Sequence, residues 1–520
     1  MDDKAQQQNS GGNDRQLEQL LSKQRALLAK KLSPNLAANL AVLRELFRNA
    51  SDFILYPFLL ADGHSAAVVY IEGMTDTKEL DLHVIAPLKE TELKKPLSIT
   101  ALTQRTAISS MQTIDDIQQL VDSISDGNPV LMADGLKQAA SFELAAQFGR
   151  QTEEPQAETV VRGPREGFVE SLRQNTAFLR RRLHTPAFKL KTIHIGRYTK
   201  TAVAIAFIEG IADPGLIEEM ENRLGRIEND GIIDSNGIEE WIEDDPMSLF
   251  PQLQATERPD VVAAALLEGR VALLIDGTPF SLIAPVTLAM MLQSPEDYYQ
   301  RSFVSTGIRW LRLLNVFIAL FMPSIYVAVL SFHQEMIPTT LLLTISRSRE
   351  QIPFPALFEA LLMEITFEAL REAGIRLPKQ VGAAVSIVGA LVIGQAAISA
   401  GIVSSPMVMV VAITGVASFL IPNYSFSLAL RLIRFPIMFC AGILGLYGVV
   451  LGGLLVLIHL LSLRSFGVPY MSPLAPMEWD QLKDTLIRAP RRAMTTRPHF
   501  TGTLWNKFRF RTPYNRLKKE

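Results

Sequence analysis

Cysteine is all but missing from this 520-residue chain. Cys440 stands alone, so no disulfide can close within the chain and no oxidising compartment is implied. The N-terminus, MDDKAQQQNSGGND, lacks an apolar stretch, so a cleaved secretory signal is not expected and the first half of the chain should stay in the cytoplasm. Catalytic constellations are missing as well. There is no glycine loop followed by Lys-Ser/Thr to cradle a phosphate, no histidine pair at metal-ligand spacing and no nucleophile elbow; the seven histidines are scattered. These absences argue against an enzyme, a metal site or a cofactor. Net charge is nearly absent too, at −2, but that balance hides a split. Residues 464–520 carry twelve Lys/Arg against four Asp/Glu, so this tail is expected to lie against an anionic leaflet, with nucleic acid the weaker alternative.

Long apolar runs are missing from the first three hundred residues and crowd the last two hundred. Leu313–Leu330 is broken only by Asn315, Pro323 and Ser324. Val381–Val403 and Pro406–Pro422 carry no charge, and Phe435–Leu463 holds only His459. A span needs roughly 20 apolar residues. One such run would suit a buried globular helix; four in succession point to a helical membrane domain over residues 296–465. A cytoplasmic start and a basic tail place both ends inside, which requires an even number of crossings. The count is four, or six if the pieces at 336–345 and 354–372 also cross. Arg347, Arg349, Arg371, Arg376, Lys379, Arg431 and Arg434 flank these pieces, and no topology puts all of them on the inner side.

The soluble part contains an internal duplication. Ala67–Leu80 reads AVVYIEGMTDTKEL and Ala204–Ile217 reads AIAFIEGIADPGLI; GNPVLMADG from Gly127 is matched by GRVALLIDG from Gly269. Two matches in the same order at nearly the same offset indicate two related α/β domains, at 50–150 and 185–295. A polar and helical extension (1–48) precedes them, a linker with a basic helix (151–184) separates them, and a basic tail (466–520) ends the chain. Residues 1–14 are too polar to order themselves. Helices over 16–48 are broken at Ser33-Pro34, with Pro34 suited to a first helical position. In each copy an apolar strand runs into a glycine turn and then a helix; in the second, Asp213 is expected as N-cap with Pro214 behind it. Asp276-Gly277 is expected to form a type I′ hairpin turn. Glu72 and Glu209 recur in both copies, which favours a structural role such as capping backbone donors.

Within the membrane half, 354–372 is apolar apart from Glu359, Glu364, Glu368, Arg371 and Glu372. The last four share a helical face and Glu359 lies off it. Ionisable groups at bilayer depth face protein or water. Two readings stand: a cation path with acidic rings in an oligomer, Arg371 closing it onto a neighbour's glutamate, or an interfacial helix with a wet polar face. Gly382, Ser386, Ala390 and Gly394 form a ridge of small residues that lets backbones approach and is expected to pack copies together in a homo-oligomer, and Gly448 and Gly452 repeat the spacing. Gln395 is the strongly polar side chain beside the ridge, available to line a pore.

The runs IPFPALFEALLMEITFEALREAGIRLP, VGAAVSIVGALVIGQAAISAGIVSSPMVMVVAITGVASFLIP, RLIRFPIMF, LRSFGVPYMSPLAP and LKDTLIRAP, with IEGMTD, IEGIADP and LLIDGTPF in the head, resemble the GerA family of spore germination proteins over roughly residues 45–498. The resemblance implies a multi-pass protein of the endospore inner membrane. It also implies a germinant-sensing, transporter-like B subunit and a lipoprotein C subunit as partners, and a role as an oligomeric channel for monovalent cations. A related protein of the family, stage V sporulation protein AF, is thought to amplify ion release instead. The rival readings are a non-conducting scaffold and, last, a secondary transporter, which would favour repeated membrane halves that this sequence does not show.

Overall fold

The computed structural model describes residues 19–497, except 20–21, 91–97, 147–153, 156, 377–390, 478, 480–481, 491–492 and 495–496. Residues 1–14, the far end of the basic tail, and Gly382, Ser386 and Ala390 lie outside the described residues.

The head is built twice. Strands β1 (Phe53–Leu59), β2 (Ser65–Ile71), β3 (Met111–Ile114), β4 (Val130–Ala133) and β5 (Ala139–Phe142) pair in the order β1-β2-β4-β5-β3. Strands β6 (Phe188–Ile195), β7 (Thr201–Ile208), β8 (Gln254–Thr256), β9 (Val271–Ile275) and β10 (Ser281–Ala284) pair as β6-β7-β9-β10-β8. The two orders are the same, and every pairing is antiparallel. Both faces of each sheet are covered, which explains why the strands read as unbroken apolar runs. In the first copy Ala67, Val69 and Ile71 face helices α1 (Leu36–Leu46) and α2 (Ile117–Ser125), while Ala66 and Val68 face short helical turns through Leu80, Leu88 and Leu102. In the second, Ala204, Ala206 and Ile208 face α3 (Leu172–Arg180) and α6 (Pro259–Leu267), while Val203, Ile205 and Phe207 face α4 (Pro214–Gly225) and α5 (Asn236–Ile242).

Local chemistry repeats with the topology. Gly73 and Gly210, ending the two IEG strands, have φ of +83° and +84°, where a side chain would be strained. Asp76 and Asp213 then cap the next helix through Lys78 and Gly215 N–H. The repeat also starts earlier than the strands. Asn39 in α1 holds both backbone groups of Ser33, and Asn175 in α3 does the same to Val169. Asp134 accepts from Leu36 N–H and Asp276 from Leu172 N–H, each 3.0 Å. Helix α3, read above as part of a linker, therefore occupies in the second copy the place of α1 in the first. That use of Asp276 also corrects the turn: Gly277 has φ +91°, but Asp276 stays at negative φ, so the five-residue loop is not type I′. The N-cap of α1 is Asn35, so Pro34 precedes the cap rather than opening the helix.

The two copies meet along α3 and β6. Arg180, buried, grips Asp52 with two bonds of 2.8 Å and donates to Phe188 O. Lys189, also buried, donates to Leu46 O at 2.6 Å and lies 3.5 Å from Glu209. Glu209 further accepts from Gln24, and Glu72 lies 3.7 Å from Arg173. Glu72 thus reaches Arg173 and Glu209 reaches Gln24 across the seam between copies, and among the described residues neither caps a backbone donor.

The second half is helical: α7 (Ser302–Phe332), α8 (Thr339–Arg349), α9 (Ala356–Arg376), α10 (Ser405–Phe419), α11 (Tyr424–Leu444) and α12 (Leu446–Ser462), with residues 391–399 also helical. Two of these, α7 and α11, are long and apolar enough to cross a membrane; α10 and α12 are apolar but shorter. The run Phe435–Leu463 is not one span. Gly445, at φ +64° against Phe332 and His333, breaks it into a tight α11–α12 hairpin. At the other end Phe250 of the head packs on Phe426 (5.8 Å between ring centres) and Ser248 bonds His459 at 2.8 Å. Helices α7 and α11 therefore run away from the head and α12 returns to it. After α12 the strands β11 (Arg464–Ser465) and β12 (Val468–Pro469) rejoin the head, where Ser465 bonds Gln252 O and Val286 N–H, and Tyr470 O accepts from Leu288 N–H. Asp297 fastens the root of α7 through Arg309 (3.1 Å) and Arg312 (2.8 Å).

Candidate functional site: a buried arginine–glutamate cluster

Helix α9 carries acid and base on one side because Glu364, Glu368 and Arg371 recur at four and three residues. That side packs against α11, where Arg431 and Arg434 recur at three. Glu364 is fully buried and lies 3.1 Å from Arg434, itself 1% exposed. Glu368 is the hub. Its carboxylate lies 2.8 Å from Arg431, 3.3 Å from Arg434 and 3.3 Å from Arg371. Arg371 also donates to Ser418 of α10 at 2.6 Å, and its guanidinium lies over the rings of Phe367 and Phe419 at 4.9 and 4.5 Å. Three arginines against two carboxylates leave this cluster one positive charge in excess. Among the described residues neither Glu364 oxygen accepts a hydrogen bond, and the Arg434 Nε and Nη1 donors find no acceptor. Arg434 sits ten residues into α11, about 15 Å from its start at a rise of 1.5 Å per residue, close to the middle of that helix.

Glu359 forms a separate node. It is fully buried, accepts from Ser404 N–H at 2.6 Å and from the Ser404 hydroxyl, and lies 3.5 Å from Arg349. Ser404 is in turn the N-cap of α10, so Glu359 fixes where that helix begins. The two nodes also set direction. Glu359 meets the start of α10 and Arg371 its end, so α9 and α10 run parallel, both towards the head.

These contacts answer several expectations. Glu364 is fully buried and Glu368 only partly exposed, so the interfacial-helix reading does not hold for Glu364. Arg371 pairs within its own chain. Glu372 turns outward to Arg376 at 2.7 Å, away from the face shared by the other three. Gly394 is buried with Val408 as its nearest neighbour, and Gln395 is exposed beside it. Gly448 and Gly452 serve the α11–α12 hairpin: a methyl on Gly448 would meet Cys440 O at 2.1 Å, and one on Gly452 would meet Ile437 at 3.2 Å. Arg431 and Arg434 were unplaceable as loop charges because they are not loop charges. They lie inside a helix, and the i, i+3 spacing in RLIRFP marks a shared helical face without saying what that face meets.

Comparison with known proteins bears on the whole chain. The family described as Bacillus/Clostridium GerA spore germination protein matches residues 41–500. The chain is 46% identical over 479 residues to an uncharacterized membrane protein, YfkQ, of Bacillus subtilis, covering 90% of this chain and 92% of that one. It is 44% identical over 471 residues to spore germination protein KA of the same organism, covering 90% and 87%. A crystal structure of the N-terminal domain of the A subunit of the Bacillus megaterium spore germinant receptor GerK3 is 32% identical, at a TM-score of 0.39, over 49% of this chain and 96% of that one. With the family matched over residues 41–500 and the two Bacillus subtilis relatives each covering 90% of its length, the chain belongs to the GerA family of spore germination proteins.

Proposed function

We propose that this protein is the membrane-embedded A-type subunit of a spore germination receptor, and that as a homo-oligomer it opens a path for monovalent cations when a germinant-sensing partner signals. The proposed setting is the endospore inner membrane, with a transporter-like B subunit and a lipoprotein C subunit alongside, the head and tail on the cytoplasmic side, and no enzymatic step. Four to six crossings fit the course of the described helices, of which α7 and α11 lead away from the head and α9, α10 and α12 lead back. The observation that carries the reading is the cluster of Glu364, Glu368, Arg371, Arg431 and Arg434. Burying such groups is costly, and an apolar contact of equal volume would hold helices together as well or better. Charges kept there serve something besides packing. In this reading the pairing of both carboxylates with arginines marks the closed state, and opening parts Glu364 and Glu368 from the α11 arginines.

The same neutralisation favours a second reading, a scaffold whose cluster only locks α9 to α11. Cation flux from liposomes holding the protein with and without its partner subunits separates the two. Glu364→Gln and Glu368→Gln should accumulate normally yet change the rate or selectivity of cation release. Normal accumulation with unchanged flux and selectivity for both variants removes this cluster from the ion path; an absence of flux from the complete wild-type complex leaves the scaffold.

A further inference from the structure

The head touches the bundle through a loop that is built to hold apolar side chains outward. Gln252 pins its base, accepting from the N–H groups of Asp244 and Asp245 at 3.0 and 2.9 Å and donating to Asp245 O at 2.6 Å. Asp245 then accepts from Met247 N–H at its carboxylate and from Ser248 N–H at its carbonyl. The turn sends Phe250 into the core and leaves Met247 90% and Leu249 52% exposed. Nothing about an ordered, hydrogen-bonded turn requires apolar residues at its tip, and water is a poor medium for them.

A groove of about 310 Å³ lies behind this tip, lined by Ser248, Phe250, Ile433, Leu455, Val456 and His459. The Ser248–His459 bond closes it on the head side. On the other side it opens onto the exposed apolar face of α12, formed by Val450, Leu454, Leu455 and Ile458. At the same level Tyr424, exposed, begins α11, and Arg464, exposed, follows the end of α12. An apolar wall, then an aromatic ring, then a cation is the order of environments met on leaving a bilayer core.

We propose that this groove is a lipid site: an acyl chain of a membrane phospholipid lies in it, Met247 and Leu249 dip into the interfacial layer, and Arg464 sits at the level of the headgroup phosphate. The inference rests on the membrane placement of α11 and α12. It makes the head a surface-bound body, with the lipid contact adjoining the one side-chain bond described here between loop 245–250 and α12.

The test uses the full-length protein with Cys440→Ala and single labelling cysteines, reconstituted in vesicles of phosphatidylglycerol and phosphatidylethanolamine. A bimane label is placed at Met247→Cys, Leu249→Cys or Leu455→Cys, with Val450→Cys as the helix reference and Tyr198→Cys as the head reference. Each labelled variant must first give the wild-type gel-filtration profile. Chain-brominated lipids should quench the labels at 247, 249, 455 and 450 and spare the one at 198, and iodide in the water phase should do the reverse. Quenching at 450 by lipid but at 247 and 249 by iodide overturns the lipid site and leaves the membrane placement standing. Labels at 247 and 249 that escape both quenchers are covered by protein, which also overturns it. Failure of lipid to quench even 450 removes the membrane placement itself.

Discussion

At the scale of single residues, this chain places ionisable groups where water is scarce, and in the head that makes stability depend on pH. Burial raises the carboxyl of Glu158 to about 7 although the Thr256 hydroxyl, donating to it at 2.6 Å, works the other way. Burial, then the neighbouring charge of Glu243, raises Glu239 to about 7. Both sit above the ordinary value of 4.5. The folded chain therefore keeps two protons that the unfolded chain releases between pH 4.5 and about 7. Stability is full below that window, falls as pH rises through it, and stays reduced above it. Each group contributes on the order of 1–3 kcal/mol, given their partial contact with solvent. The wild-type protein in detergent should melt lower at about pH 8 than at about pH 5, and the double variant Glu158→Gln, Glu239→Gln should lose most of that difference. An unchanged difference would show that other groups set it. In the helical half, the face of Glu364, Glu368 and Arg371 was legible from spacing. Their partners were not, because Arg431 and Arg434 lie more than sixty residues further on and only packing brings them near.

At the scale of elements, α11 and α12 show what a close helix hairpin demands. A methyl at Gly448 would meet backbone, Cys440 O at 2.1 Å, and backbone cannot step aside. Gly448→Ala must splay the hairpin and should cost about 1–3 kcal/mol or more, as overpacking does. At Gly452 the neighbour is the Ile437 side chain at 3.2 Å, which can give way, so Gly452→Ala should stay within about 1 kcal/mol of wild type. Melting of the two purified variants checks the contrast, and equal losses would remove the argument. The four-residue spacing of these glycines announced close packing from the sequence. It did not say against what: in this structure both face the preceding helix of their own chain. The hairpin itself was hidden because Phe435–Leu463 is continuously apolar, and one glycine in the left-handed region suffices to divide it.

At the scale of the whole molecule, one fastening between head and bundle is the root of α7. Asp297 is buried and holds both Arg309 and Arg312, and Arg309 is also reached by Asp484 at 3.2 Å. Asp297→Ala would take from buried Arg312 its carboxylate partner and leave Arg309 with Asp484 alone, at a cost of about 3 kcal/mol. Asp297 bonds Ser294, Ser305, Arg309 and Arg312, none of them in a sheet, so the head should keep its fold while its link to α7 loosens. Limited proteolysis should then release a head fragment from the variant faster than from wild type; an unchanged rate would place the coupling elsewhere, along β11, β12 and Tyr470. By itself the sequence determined the division into a soluble and an apolar half, the duplication in the head and the ionic face of α9, because composition, repeated short segments and helical period are local properties of a chain. Only the tertiary structure decided that α3 opens the second copy, that the recurring glutamates reach across the seam, and that Arg431 and Arg434 are interior charges. Those depend on contacts between residues far apart in the chain, and a one-dimensional pattern carries no record of which distant side chain will lie opposite.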